Sequence, residues 1–273
     1  MIKPLHYYLL ATGSWFLAYG IQGVMFAWLV TIVLRESPNM VGVAHMTLLA
    51  PATVLVLIGG SLADHFGGKP IAIIGQLLAA VCVFLLALVI YFDYFSYSTL
   101  LVFAFVLGCA QAIVTPARDG LLPLVASGRI QRTVVQSTIT QFGIMMLGFA
   151  IASFADQSGA LIILLFQSVV LLVGIVALVR IKVPGSKVPQ SDYNLTKQIR
   201  LSIYTGMQTV LGNSVLRAIL LINFAMGLFF MSSYMVMIPL LLREVYGGSS
   251  SQLSWTNFAN CLGLVLMMFY LLR

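Results

Sequence analysis

The sequence predicts an all-α membrane protein. It divides into a six-helix bundle over residues 1–180, a cytoplasmic linker with an amphipathic helix over 181–217, and the first two helices of a second, incomplete bundle over 218–273. Three observations carry this. The 273 residues are 61% hydrophobic and only 8% charged, with a mean hydropathy of +1.05, so the polar groups cannot cover a soluble domain of ordinary make-up. About 20 apolar residues suffice to cross the hydrocarbon core as a helix, and eight runs approach or exceed that length. When those runs alternate in direction, twelve of the 14 Lys and Arg fall on one side and only Arg35 and Arg243 on the other. The bias places the N-terminus, Lys69 and the C-terminus in the cytoplasm, and it makes the net charge of +7 a topology signal that implies no nucleic-acid partner.

The runs fall near 8–34, 41–63, 71–91, 99–117, 133–154, 159–179, 218–242 and 253–272. In the first, Trp15, Tyr19, Gln22 and Phe26 recur at steps of four, three and four, which is one helical face. Gln22 sits near mid-membrane, where an amide must be hydrogen-bonded or face water, so Tyr19 and Gln22 are candidate cavity residues. Arg35 and Glu36 end this span, and Pro38-Asn39 turns the chain into the second. His45, alone at a membrane rim, reads as a packing residue. Between the second and third spans, Gly59 to Pro70 form a short charged break in which Asp64 ends one apolar run, Gly67, Gly68 and Lys69 make a short turn, and the next run starts after Pro70. The aromatic group Tyr91-Phe92-Asp93-Tyr94-Phe95 suits the headgroup level at the far end of the third span.

In the fourth span Ala104, Gly108 and Ala112 make a flat strip for close helix packing, with Gln111 beside it as a cavity candidate. Pro116 and Pro123 are expected to break this helix, leaving Arg118 and Asp119 to emerge where Asp64 emerges, so that an Arg118–Asp64 contact is available. The fifth span carries Gln136 and Gln141, the latter a further cavity candidate, with Gly143, Gly148 and Ala152 for packing. Cys82, Cys109 and Cys261 lie within spans without metal-ligand spacing and read as small apolar residues.

A Pro- and Ser-bearing linker, Val183 to Tyr193, leads into a helix with Leu195, Ile199, Ile203 and Val210 on its apolar side and Lys197, Arg200 and Gln208 polar, as for a helix lying on the membrane surface. Beyond it the seventh span ends Leu241-Leu242-Arg243-Glu244, matching Val33-Leu34-Arg35-Glu36 at the end of the first. The match at equivalent positions is the mark of a duplicated bundle whose second copy starts near residue 218 and stops after two spans. Asn257 and Asn260 in the last span are expected to lack neighbours.

Gly60-Ser61-Leu62-Ala63-Asp64, followed by Gly67 and Lys69, resembles the loop between the second and third helices of the major facilitator superfamily, roughly Gly-x-Leu-Ala-Asp-Arg-x-Gly-Arg-Lys. His65 and Gly68 replace two of its basic residues. Pro116-Ala117-Arg118 with Leu121-Leu122-Pro123 is similar to the segment after the fourth helix in the branch containing the enterobactin exporter and related drug-efflux permeases. The resemblance implies a bacterial inner-membrane secondary transporter working by alternating access, with Asp64 as gating carboxylate and Arg118 as its partner. It further implies that Gly60 and Gly67 allow close approach and a tight turn, and that a small molecule is carried between two bundles. The glycine-proline pair frequent in the fifth helix of efflux relatives is missing, Gly148 being followed by Phe149, and so is the usual arginine within the fourth helix of proton antiporters.

No Asp, Glu, Lys or Arg is expected deep in any span, so no ion-coupling residue is assignable, and a neutral or amphiphilic substrate fits best. No clustered His, Asp, Glu or Cys, no Gly-x-Ser-x-Gly and no Gly-x-x-x-x-Gly-Lys occurs, which argues against an enzyme, a metal, a cofactor or direct ATP drive. The expected partners are membrane lipids and a small-molecule substrate. The alternative reading is a truncated, non-transporting membrane protein or accessory subunit.

Overall fold

The computed structural model describes residues 4–126, 128, 130–181, 195–231 and 233–271. Among these there is helix and no strand. The helices are α1 (Pro4–Trp28), α2 (Pro38–Phe66), α3 (Gly68–Tyr91), α4 (Tyr97–Asp119), α5 (Leu122–Val125), α6 (Ile130–Ala152), α7 (Ala155–Ser158), α8 (Ala160–Arg180), α9 (Leu195–Gly212), α10 (Ser214–Ala225), α11 (Ile238–Tyr246) and α12 (Ser250–Leu271). Wider π-turns extend α1 over Leu29–Val33 and join α10 to α11 over Met226–Met231 and Ser233–Met237. Six helices are long and apolar enough to cross a membrane, or seven when the two parts of α2 are taken as one span; α12 stands at the eighth expected position but is not among them.

Helix is the natural outcome where no water can take the backbone polar groups, and local signals set several ends. Ser37 and Pro38 open α2. Ser96 and Thr99 exchange side-chain and backbone hydrogen bonds in a capping box that opens α4. Pro51, which cannot donate within α2, precedes a 43° bend between Pro38–Thr53 and Ile58–Phe66. Pro116 does not break α4 as expected. The helix continues through it to Asp119, so the residues after Pro116 keep their helical direction.

The first bundle is built by α1 against α6 and α8, α2 against α4, and α3 against α4 and α8. Small residues let these backbones touch. Ala104, Gly108 and Ala112 form the packing strip read from the sequence, and a Cβ on Gly108 would strike the Leu48 carbonyl of α2. In the same way a Cβ on Gly148 of α6 would strike the Leu17 carbonyl of α1. His45 packs as expected, buried with its ring edge-on to Phe26 at 5.1 Å. Side chains such as Leu85, Val102 and Val173 point outward, forming the apolar coat a bilayer requires.

The helix expected over the amphipathic stretch is α9, exposed along Tyr204 to Thr209. The linker Val183 to Tyr193 and the side chains of Leu195 to Ile203 lie outside the described residues. Helix α12 packs on α6 and α1, and there the expectation for Asn257 fails. Its amide donates to Leu253 O at 2.8 Å and accepts from the Tyr234 hydroxyl at 3.2 Å.

Gly148→Ala is expected to destabilise the purified protein by about 1–3 kcal/mol through overpacking, read as a lower thermal midpoint in detergent. Gly143→Ala, whose new Cβ would meet nothing within 4 Å, is expected to leave the midpoint unchanged or slightly higher.

Candidate functional site

The turn between α2 and α3 is a single residue, Gly67, with φ +91° and ψ 138°, a backbone conformation that glycine takes without strain. The close approaches to α4 come from its neighbours. A Cβ on Gly68 would lie 2.5 Å from Ala117 O, and one on Gly59 would lie 2.8 Å from Ala112 O. Gly60, the expected point of contact, is only in ordinary reach of Pro116 at 3.9 Å. Leu62 packs beside an apolar cluster containing Tyr8, Ala117 and Leu121. Lys69 Nζ donates to the carbonyls of Val179 and Ile181, both at 2.8 Å. Its charge therefore closes the C-terminal end of α8, where carbonyls lack helical partners.

The expected pairing of Asp64 with Arg118 is absent here. Asp64 is exposed, while Arg118 is 4% exposed and faces α1, with its guanidinium 4.7 Å from the Phe16 ring centre and 5.9 Å from that of Trp15. The only ion pair among the described residues joins Arg243 to Glu244 at 2.6 Å. The reason is the unbroken α4: an intact helix carries Arg118 inward where a broken one would have released it toward the turn. Arg118 is buried in protein although it stands at the end of α4 and not deep within the span.

A small cavity of about 20 Å³, lined by Trp15, Tyr19, Gln22, Gln111, Gln167 and Leu171 among others, lies between α1, α3, α4 and α8. That is room for about one water. It brings together three of the four cavity residues read from the sequence. Gln22 is both a lining residue and an interhelical partner, since Gln167 Nε2 donates to its Oε1 and to Ala18 O, each at 3.0 Å. Gln76 ties α3 to the same region through Leu171 O at 2.9 Å and Ser14 Oγ at 3.2 Å. Gln141 stands apart from the lining and donates to Ser137 Oγ at 3.3 Å. Sequence reasoning passed over Gln76 and Gln167, although each is the lone amide of a strongly apolar run.

Polar contacts tie the later helices to the first bundle at the end bearing Arg35. Asp156 accepts from Trp28 Nε1 at 2.9 Å, from the Ser250 backbone at 2.6 Å and from the Ser250 hydroxyl at 2.9 Å. Arg243 donates to Thr31 O at 3.2 Å and Glu36 O at 2.7 Å, where the π-turn of α1 ends. Arg243 thus reaches the end of the span whose own Arg35 stands in the same Leu-Arg-Glu pattern.

Six or seven helices long and apolar enough to span, with later helices tied to the first, define a helical membrane protein. The family model described as Major Facilitator Superfamily matches residues 8–273, and the chain belongs to that superfamily, a family of transporters. No curated protein matched the chain.

Gln167→Leu is expected to cost about 1–3 kcal/mol, because it strands the buried Gln22 amide. Gln22→Leu with Gln167→Leu is expected to recover part of that loss. A thermal-unfolding double-mutant cycle checks the pair, and additive single effects would show that the two amides do not interact.

Proposed function

We propose that the protein is an efflux transporter that moves a small neutral or amphiphilic molecule by alternating access, in the branch containing the enterobactin exporter and drug-efflux permeases. In this reading residues 1–180 and 218–273 belong to two bundles joined by 181–217, and the Lys69 end faces the cytoplasm of a bacterial inner membrane. Tyr19, Gln22 and Gln111 contact the substrate. Asp64, on the one-residue turn at Gly67, is the gating carboxylate of the cytoplasmic end, with Arg118 its partner in the opposite state.

The observation that carries the reading is where the bundles are tied. Asp156, Trp28 and Ser250, together with Arg243 on Thr31 O and Glu36 O, clasp the Arg35 end. At the other end Asp64 and Arg118 are unpaired. A tie between the bundles at one end, with a charge pair inside the first bundle left unmade at the other, is the arrangement expected of a carrier closed at the Arg35 end.

The test uses a chain with Cys82, Cys109 and Cys261 replaced by Ala and a single reporter, Tyr19→Cys, in sealed vesicles of either orientation. A membrane-impermeant maleimide is expected to label it from the Lys69 side. Asp156→Asn is expected to raise labelling from the Arg35 side about tenfold, the change that about 1.4 kcal/mol of lost contact produces. Labelling that stays confined to one side in both chains rules out alternating access.

A further inference from the structure

Four buried polar atoms gather where α1 meets the end of α4, and none has a hydrogen-bond partner: Arg118 Nε and Nη1, Tyr8 Oη and Thr12 Oγ1. Tyr8 and Thr12 are one turn apart on α1, and the Arg118 charge acts on the Tyr8 hydroxyl. Ser137 and Thr12 both stand close enough to that hydroxyl to interact with it, and neither carries a charge. The rings of Phe16 and Trp15 attract the guanidinium but offer no acceptor for its N–H groups.

An unpaired guanidinium in an apolar interior is among the least favourable arrangements a fold can hold. Asp119 is near enough for its charge to act on Arg118 and Tyr8, but it and Asp64 are exposed and neither pairs with the guanidinium. What the cluster lacks is a carboxylate in direct contact with Arg118.

The cluster adjoins the small cavity through Trp15. Arg118 follows Gln111 by seven residues, two turns of α4, or about 10 Å along the same face. On α1, Tyr8, Thr12, Trp15, Tyr19 and Gln22 share one face in the same way, and Trp15 both lines the cavity and stands over Arg118. The seam between α1 and α4 therefore has a cation with hydroxyls at one end and amides with aromatic rings at the other.

We propose that this seam binds an amphiphile carrying a carboxylate, the carboxylate on Arg118, Tyr8 and Thr12 and the uncharged body toward Tyr19, Gln22 and Gln111. The proposal rests on the transport reading and narrows its substrate class from neutral or amphiphilic to anionic amphiphile. Because Arg118 is 4% exposed, entry displaces the Trp15 and Phe16 rings. The same carboxylate chemistry is available from the Asp64 side chain of the protein itself, and the test separates the two.

The purified full chain in detergent is titrated with 4-phenylbutyrate and with its neutral amide while tryptophan emission, which includes that of Trp15, is followed. The acid is expected to bind saturably and about tenfold more tightly than the amide, the preference one charge-assisted contact gives. Arg118→Gln is expected to abolish the preference, Arg118→Lys to keep part of it, and Asp64→Asn to leave it intact. Equal binding of acid and amide, or an acid preference that survives Arg118→Gln, overturns the proposal. So does acid binding that emerges only in Asp64→Asn, which assigns the site to the chain's own carboxylate. An Arg118-dependent acid preference in a protein that fails the two-sided labelling test leaves the anion site standing and removes the transport reading.

Discussion

Everything in the bundle depends on how closely bare backbone can approach bare backbone. In a bilayer, apolar side chains gain little by leaving lipid for one another, so association rests on contact and on hydrogen bonds between helices. Gly108 against the Leu48 carbonyl and Gly148 against the Leu17 carbonyl bring α2 to α4 and α1 to α6 at a distance no larger residue permits. On α8 the same device is Gly174, which leaves room for Ser14 of α1 and Gln76 of α3, and at these seams a glutamine on one helix reaches the backbone of the next. Gln167 reaches Ala18 O and Gln76 reaches Leu171 O, and these bonds fix the depth at which the helices register.

The polar groups divide into two kinds. The amides around the cavity hold one another, the buried Gln167 Oε1 excepted, and at the Arg35 end both Asp156 oxygens are used and Arg243 closes two carbonyls at the end of a π-turn. The group at the Lys69 end of α1 and α4 is the reverse, with donors buried and unmet. Because the unmet group there is a cation, an anion would relieve it, which an unmet amide or hydroxyl does not require.

The helices and their order were legible because a spanning segment must be apolar for its full length, and the family resemblance was legible in the Gly60 to Lys69 stretch. The packing strip of α4 was legible because Ala104, Gly108 and Ala112 repeat every four residues. Side-chain direction at helix ends was not. Pro116 read as a break, yet tertiary packing carries the helix past it, and that alone turns Arg118 from a surface partner of Asp64 into a buried cation. Lys69 was equally opaque, because its acceptors at Val179 and Ile181 are more than a hundred residues away. Gln76 and Gln167 sit in runs so uniformly apolar that no periodicity singled out the face they occupy.

A turn of one residue has a mechanical meaning. With only Gly67 between them, α2 and α3 have no slack, and Lys69 pins the start of α3 to the end of α8. A push on α2 at the Asp64 end is therefore passed to α3 and α8 as torque. The compliant point is elsewhere in the same helix, at the 43° bend between Thr53 and Ile58. The Asp64 end is thus braced against α3 and α8, and the bend is where the distant half of α2 can change its angle without disturbing that brace.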